Sequence, residues 1–185
     1  NAGLDFSFIK VRLSGTLDFY EKRTTDLLNE IPTPAGANFS NRILTNVGNI
    51  TSKGFELAIS ATPVQTDRLT WDVSYNISSN STRITKLNAV DVPGYQGVPT
   101  GGVTGGTGTT VQIHSVGYAP STFFVYKQKY DAAGKPLEGQ YEDLNKDGVI
   151  NEQDKYRAHN PEPKVLMGLS TTLTFDRWSL STSLR

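Results

Sequence analysis

The chain has 185 residues with 18 basic and 18 acidic side chains, so its formal net charge is zero. That balance implies no nucleic-acid partner, and the lack of any cysteine excludes disulfides and thiol catalysis. Mean hydropathy is −0.37, and no stretch reads as a transmembrane helix, a signal that β-barrels do not show.

Short alternating strands follow one another along the chain, and their connections alternate in length. The first run, Leu4-Asp5-Phe6-Ser7-Phe8, leads into a tight turn at Ile9-Lys10-Val11. A second run, Arg12 to Tyr20, precedes a long connection to about Lys53. The third run is Phe55 to Ala61, linked through Pro63 to Arg68 to a fourth, Leu69 to Ile77. A very long connection then reaches Pro163. The fifth run is Val165 to Phe175, and a two-residue turn at Asp176-Arg177 opens a sixth at Trp178. The connections run short, long, short, long, short. Outer-membrane barrels require this parity, because their periplasmic turns are short and their extracellular loops long.

Within the runs the side chains alternate. Leu69, Trp71, Val73, Tyr75 and Ile77 face one way, and Thr70, Asp72, Ser74, Asn76 and Ser78 the other. Val165, Met167, Leu169, Leu173 and Phe175 repeat the pattern, as do Trp178, Leu180 and Leu184 against Ser179, Ser181 and Ser183. A soluble β-sandwich with one wet face gives the same alternation. Three features favour the barrel. The complete runs are about 9–11 residues, the span of a tilted strand crossing a bilayer. Phe8, Trp71, Phe175 and Trp178 sit beside the short turns, and Phe19, Tyr20 and Phe55 at the other strand ends, as two aromatic girdles would. Asn1 stands at the lip of a strand and Arg185 falls inside one, and no signal peptide opens the chain, as expected of an internal piece. The expected fold is therefore all-β. Antiparallel up-and-down strands from a large transmembrane barrel would carry extracellular loops at about 24–53 and 85–162.

The first long connection holds Pro32, Pro34, Gly36 and Gly48 and reads as a surface loop. The second contains Gly101-Gly102-Val103-Thr104-Gly105-Gly106-Thr107-Gly108. It lacks the Gly-Lys-Ser/Thr ending of a phosphate cradle and lies in no strand-to-helix unit, so it reads as a flexible loop tip. Ser121 to Tyr130 reads as a strand, Asp131 to Pro136 as a turn and Glu138 to Glu142 as the returning strand of a hairpin. The sharpest motif is Asp143 to Asp154. Asp143, Asn145 and Asp147 occupy positions 1, 3 and 5 of an EF-hand-type calcium loop, and Gly148 supplies the turn at 6. The Val149 carbonyl stands at 7, Asn151 at 9 and Asp154, shorter than the usual glutamate, at 12. The competing reading is a calcium-free turn held by Asx hydrogen bonds.

These segments carry a family resemblance. Arg12-Leu13-Ser14-Gly15-Thr16-Leu17-Asp18-Phe19-Tyr20 with Thr25-Asp26-Leu27-Leu28, Asn46-Val47-Gly48-Asn49, Lys53-Gly54-Phe55-Glu56-Leu57, Trp71-Asp72-Val73-Ser74-Tyr75-Asn76, the Asp143 to Asp154 loop and Asn160-Pro161-Glu162-Pro163-Lys164 follow one another in order. Together the chain resembles the C-terminal part of a SusC/RagA-type TonB-dependent outer-membrane transporter of Bacteroidetes. The resemblance implies a plugged barrel of about 22 strands, a place in the bacterial outer membrane, and import of glycans, oligosaccharides or peptides. It implies a SusD-like lipoprotein lid and energy from the TonB complex, acting on a plug absent from this chain. Roughly six strands cannot close such a barrel, so the isolated piece is expected to transport nothing.

No catalytic constellation is legible. His114 lies in a Gly-rich stretch and His159 beside Asn160-Pro161, and spacing assigns neither an acidic or hydroxyl partner. The rival function is a secreted or surface-anchored β-sandwich that binds carbohydrate, braced by calcium. It accounts for the alternation and the acidic loop but not for the parity of the connections.

Overall fold

The computed structural model describes residues 1–10, 12–32, 39, 42–88, 94–106 and 108–185. Val11, Pro34, Gly36 and Thr107 of the expected turns and loops lie outside them. Its strands are β1 (Ala2–Phe8), β2 (Leu13–Pro32), β3 (Arg42–Gln65), β4 (Leu69–Lys86), β5 (Val98–Gly102), β6 (Thr110–His114), β7 (Thr122–Tyr126), β8 (Gln128–Tyr130), β9 (Pro136–Tyr141), β10 (Lys155–Arg157), β11 (Val165–Phe175) and β12 (Trp178–Leu184). One short 3₁₀ turn spans Glu152–Asp154. Contacts divide the chain into two compact units: Asn1–Thr24, Thr51–Thr82 and Pro163–Arg185 form the first, and Thr25–Ile50 and Arg83–Glu162 the second.

The first unit is built on one sheet with strand order β1-β2-β3-β4-β11-β12. The order follows the chain except where the second unit intervenes between β4 and β11. Register keeps like against like. On one face Leu4 meets Leu17 and Phe6 meets Gly15, Trp71 meets Leu173, Tyr75 meets Leu169, and Phe175 meets Trp178. On the other, Asp5 meets Thr16, Ser74 meets Ser170, and Thr172 meets Ser181. Because the side-chain period is 2, a slip of one residue would mix the faces, and no slip occurs in these pairs.

Among the described residues the apolar face has no protein partner. Trp178 is 80% exposed and Leu180 73%. Among the described residues the buried apolar side chains are Ile84, Leu87, Ile113 and Phe124, all from the second unit. A sandwich would bury this face under a second sheet; a sheet whose apolar face is solvated by lipid has no such need. The polar face is stitched by hydroxyl pairs instead. Ser60 and Ser74 lie 3.2 Å apart, Ser170 and Ser183 3.1 Å, and Thr172 and Ser181 2.9 Å, while Thr62 donates to Asp72 at 2.7 Å.

Thr171 interrupts the apolar row of β11, and its geometry gives the reason. The Trp71 indole Nε1 donates to Thr171 Oγ1 at 2.7 Å, and Thr171 Oγ1 donates to the Asp72 carbonyl at 3.3 Å. On a face with no water the indole N–H needs such an acceptor. Thr171→Val should destabilise the folded sheet in a membrane environment by about 1 kcal/mol, measured by denaturant titration in detergent or vesicles. The same substitution in a Trp71→Phe background should cost clearly less.

Two cross-strand glycines admit aromatic rings. A Cβ on Gly15 would stand 2.5 Å from the Phe6 ring and 2.6 Å from the Ala58 carbonyl oxygen. At Gly54 it would stand 2.5 Å from the Tyr20 hydroxyl and 2.5 Å from the Ser79 carbonyl oxygen. Each ring thus lies across bare backbone, an aromatic cover over a strand glycine.

The structure corrects the expected loop at 24–53. β2 continues to Pro32 and β3 starts at Arg42, so most of that stretch is paired strand. Glu21, Lys22 and Arg23 carry the charge that reads as loop, yet Glu21 bonds Arg23 at 2.7 Å and Lys53 at 3.0 Å on the strand surface. At Asp26 the backbone has φ 57. A left-handed residue inside a strand disturbs the regular pleat at that point.

The expected loop at 85–162 is likewise a folded unit. It holds a sheet of order β10-β7-β6-β5 and a β8-β9 pair. The Ser121 to Tyr130 strand is broken at Lys127: β7 pairs with β6 and β10, and only β8 pairs with β9. Their two directions of pairing cannot be served by one straight strand. The glycine-rich segment begins as β5 and then turns back through bonds from Val103 N to Thr109 O and from Gly106 N to Val103 O. It is a hairpin connection rather than an unstructured tip.

Candidate functional site

The second unit contains Asp143 to Asp154, the segment in which a calcium loop was expected. Each early carboxylate or amide takes backbone N–H groups of the loop itself. Asp143 accepts from Lys146 N at 2.6 Å and Gly148 N at 2.7 Å, Asn145 Oδ1 from Asp147 N at 3.0 Å, and Asp147 Oδ1 from Val149 N at 2.8 Å. Lys146 and Gly148 have φ of 62 and 85, so the chain coils tightly around these oxygens; a glycine takes that conformation without strain. Asn151 caps the 3₁₀ turn through Gln153 N at 2.8 Å, and its Nδ2 donates to the Val149 carbonyl at 3.3 Å.

Asp154 has a different setting from the other acids. It is fully buried. Its carboxylate accepts from Asn151 N at 2.9 Å, Leu144 N at 2.8 Å and Asn145 N at 3.3 Å. The Asn151 N–H foremost, with those of Asn145 and Leu144, holds its carboxyl below the ordinary value of 3.8. Asp154 therefore closes the loop by gripping its backbone. Among the described residues no three acidic or imidazole side chains converge into a metal cage.

Two further settings were not legible in the sequence. Arg157 donates from Nε to Ser115 Oγ at 2.9 Å and from Nη2 to the Gln96 carbonyl at 2.7 Å. Its guanidinium lies 5.1 Å from the Tyr118 ring centre and 5.3 Å from that of Phe124, a cation held between two aromatic faces. His114 Nε2 meets Ser121 Oγ at 3.3 Å, a hydroxyl partner that spacing did not assign. Burial pushes the His114 pKa below its ordinary 6.5. His159 contributes its backbone carbonyl to Phe123 N.

A single antiparallel sheet with one open apolar face, one hydroxyl-lined face and a folded unit in its longest connection defines a wall segment of a transmembrane β-barrel. Comparison with known proteins agrees. The family described as TonB dependent receptor-like, beta-barrel matches residues 1–180, and the chain belongs to that family of outer-membrane receptors. It is 42% identical over 185 residues to the TonB-dependent receptor SusC of Bacteroides thetaiotaomicron, covering all of this chain and 18% of that protein. TonB-dependent receptor P39 of Formosa agariphila is 39% identical over 102 residues, 55% of this chain and 9% of P39. Among solved structures, that of the RagAB peptide transporter matches with a TM-score of 0.70 and 23% identity, covering 98% of this chain and 20% of that chain. The chain thus spans about a fifth or less of the length of these relatives.

Proposed function

We propose that this chain forms part of the wall of an outer-membrane importer that takes up glycans, oligosaccharides or peptides. A SusD-like lipoprotein would cover its extracellular mouth, and the TonB complex would drive it through a plug outside this segment. The observation that carries the reading is the 42% identity to SusC maintained across the whole chain. The two-faced sheet supports it, because lipid suits the apolar face and a wet lumen the hydroxyl face. The alternative carbohydrate-binding sandwich lacks the second layer that it needs.

On this reading the second unit lies outside the cell and the turns at 66–68 and 176–177 lie in the periplasm. Cysteine at Gly105 of the full-length receptor should react with a membrane-impermeant maleimide on intact cells, and cysteine at Asp67 should not. Uptake of radiolabelled oligosaccharide or peptide should stop when TonB is deleted. Reversed labelling, or uptake indifferent to TonB, would defeat the proposal.

The acidic loop would act as a calcium brace. Its hard oxygens suit calcium rather than zinc. Asp143, Asn145, Asp147 and the Val149 carbonyl would supply ligands, and Asn151 would act directly or through water. Asp154, already holding three N–H groups, has about one lone-pair site left for an ion. Calorimetric titration of the full-length receptor should find binding at about 10⁻⁴–10⁻³ M calcium, lost in Asp147→Ala. No heat at millimolar calcium, or the same isotherm in the variant, would reject the brace.

A further inference from the structure

We propose that Arg177 and Trp178, at the β11–β12 turn, form a binding site for the phosphate headgroup of an anionic phospholipid in the periplasmic leaflet. The inference rests on the barrel-wall reading above and goes beyond it, since that reading needs lipid only as an apolar solvent. Every residue it uses belongs to the first unit.

The β1–β2, β3–β4 and β11–β12 turns lie along one end of the sheet. Phe175 pairs with both Leu69 and Trp178 on the apolar face, so this end carries an exposed aromatic pair. The two tryptophans there differ in one respect. The Trp71 indole N–H is satisfied by Thr171 within the sheet. That of Trp178, 80% exposed, has no acceptor among the described residues. An indole with no protein acceptor cannot lie in hydrocarbon without cost, and it is suited to a place where one end is apolar and the other meets polar groups.

The two turn arginines divide in the same way. Arg68 is forked onto both oxygens of Asp176 and lies over the Phe175 ring. Arg177 is exposed and makes no ion pair among the described residues. At the corner of β4, β11 and β12 one tryptophan and one arginine are thus spent within the protein, and the neighbouring pair at 177 and 178 is left with free donors. Across the three turns Lys10, Arg12, Arg68 and Arg177 face only Asp67 and Asp176, a cationic excess that draws anions. A soluble anion would meet the guanidinium alone. A phospholipid meets both, its phosphate oxygens taking the guanidinium fork and the indole N–H while its chains lie on the aromatic face.

The test uses purified full-length receptor in a phosphate-free detergent, with 5-fluorotryptophan in place of Trp178. Its fluorine resonance is followed during titration with short-chain phosphatidylglycerol, with phosphatidylcholine of the same chain length, and with inorganic phosphate. Phosphatidylglycerol should shift the resonance saturably, phosphatidylcholine should bind more weakly, and inorganic phosphate should not shift it. Arg177→Gln should weaken phosphatidylglycerol binding about tenfold. Arg177→Lys should restore part of it, since an ammonium keeps the charge and loses the fork. Lys135→Ala, in the β8–β9 turn, should change nothing. Equal binding of the two lipids, an unchanged titration in Arg177→Gln, or the same shift with inorganic phosphate would each overturn the site and leave the wall reading standing. The wall reading is judged separately by the label at Asp67 and by heat-modifiable migration of the inserted receptor. Its failure there would remove the membrane setting and the site together.

Discussion

Lysine at Val73 is expected to destabilise the inserted receptor by about 2–4 kcal/mol, whereas lysine at Ser74 should cost far less. Val73 lies in the first third of β4, opposite Thr171 on the apolar face, and Ser74 lies opposite Ser170 on the hydroxyl face. An ammonium at Val73 must reach the headgroups past Trp71 or Tyr75, or carry water into the hydrocarbon. At Ser74 it enters a surface already lined by hydroxyls, with Ser60 3.2 Å away and Asp72 two residues along on the same face. Denaturant titrations of the full-length receptor in lipid vesicles measure both costs. Equal values would mean that neither face meets lipid, and a larger cost at Ser74 would mean that the two faces are exchanged.

Gly54→Val should be nearly as damaging, at about 3 kcal/mol, toward the upper end for overpacking. The new Cβ would meet the Ser79 carbonyl oxygen as well as the Tyr20 hydroxyl, both at 2.5 Å. Only the tyrosine can swing aside. Tyr20→Ala in the same chain should therefore recover part of the loss and leave the backbone clash behind. Full recovery would place the strain in the ring alone, and no loss at all would mean that β3 and β4 are further apart at this point than described. The same vesicle assay reads all three variants.

Particular residues show what the sequence made legible. β11 was readable from end to end, because Pro163 precedes it and Asp176-Arg177 ends it, and an alternation interrupted only at Thr171 lies between. β2 and β3 were readable only in their apolar halves. Past Tyr20 the side chains are charged on both faces, and the left-handed backbone at Asp26 disturbs the period on which the reading depends. The short strands of the second unit, such as β8 with 3 residues and β5 with 5, are too brief for any period to be recognised. The acidic loop was legible because its donors lie within twelve consecutive positions. What spacing could not say is that Asp154 turns inward to the backbone. A cleft lined by Asn29, Asn46, Lys86 and His114 was beyond reach, since its residues come from four separate segments.

The turn-to-turn contact at Arg68 carries a different lesson. Its Nε and Nη2 reach the two oxygens of Asp176 at 3.0 and 2.6 Å, and its carbonyl accepts from Asp176 N at 2.9 Å. The guanidinium also lies 5.5 Å from the centre of the Phe175 ring. Arg68 opens the β3–β4 hairpin side of this corner, and Asp176 closes the β11–β12 hairpin. These hairpins are separated in sequence by the whole of residues 83–162, so β4 must find β11 across the longest gap in the chain, and loop-closure entropy opposes that meeting. A fork of two charged hydrogen bonds holds the two turns together once they have met. From that corner the eleven registered pairs of β4 and β11 can close in one direction, like a fastener drawn from its end. The longest gap in the chain is thus clasped at a turn, while the chemistry of the finished wall is written elsewhere.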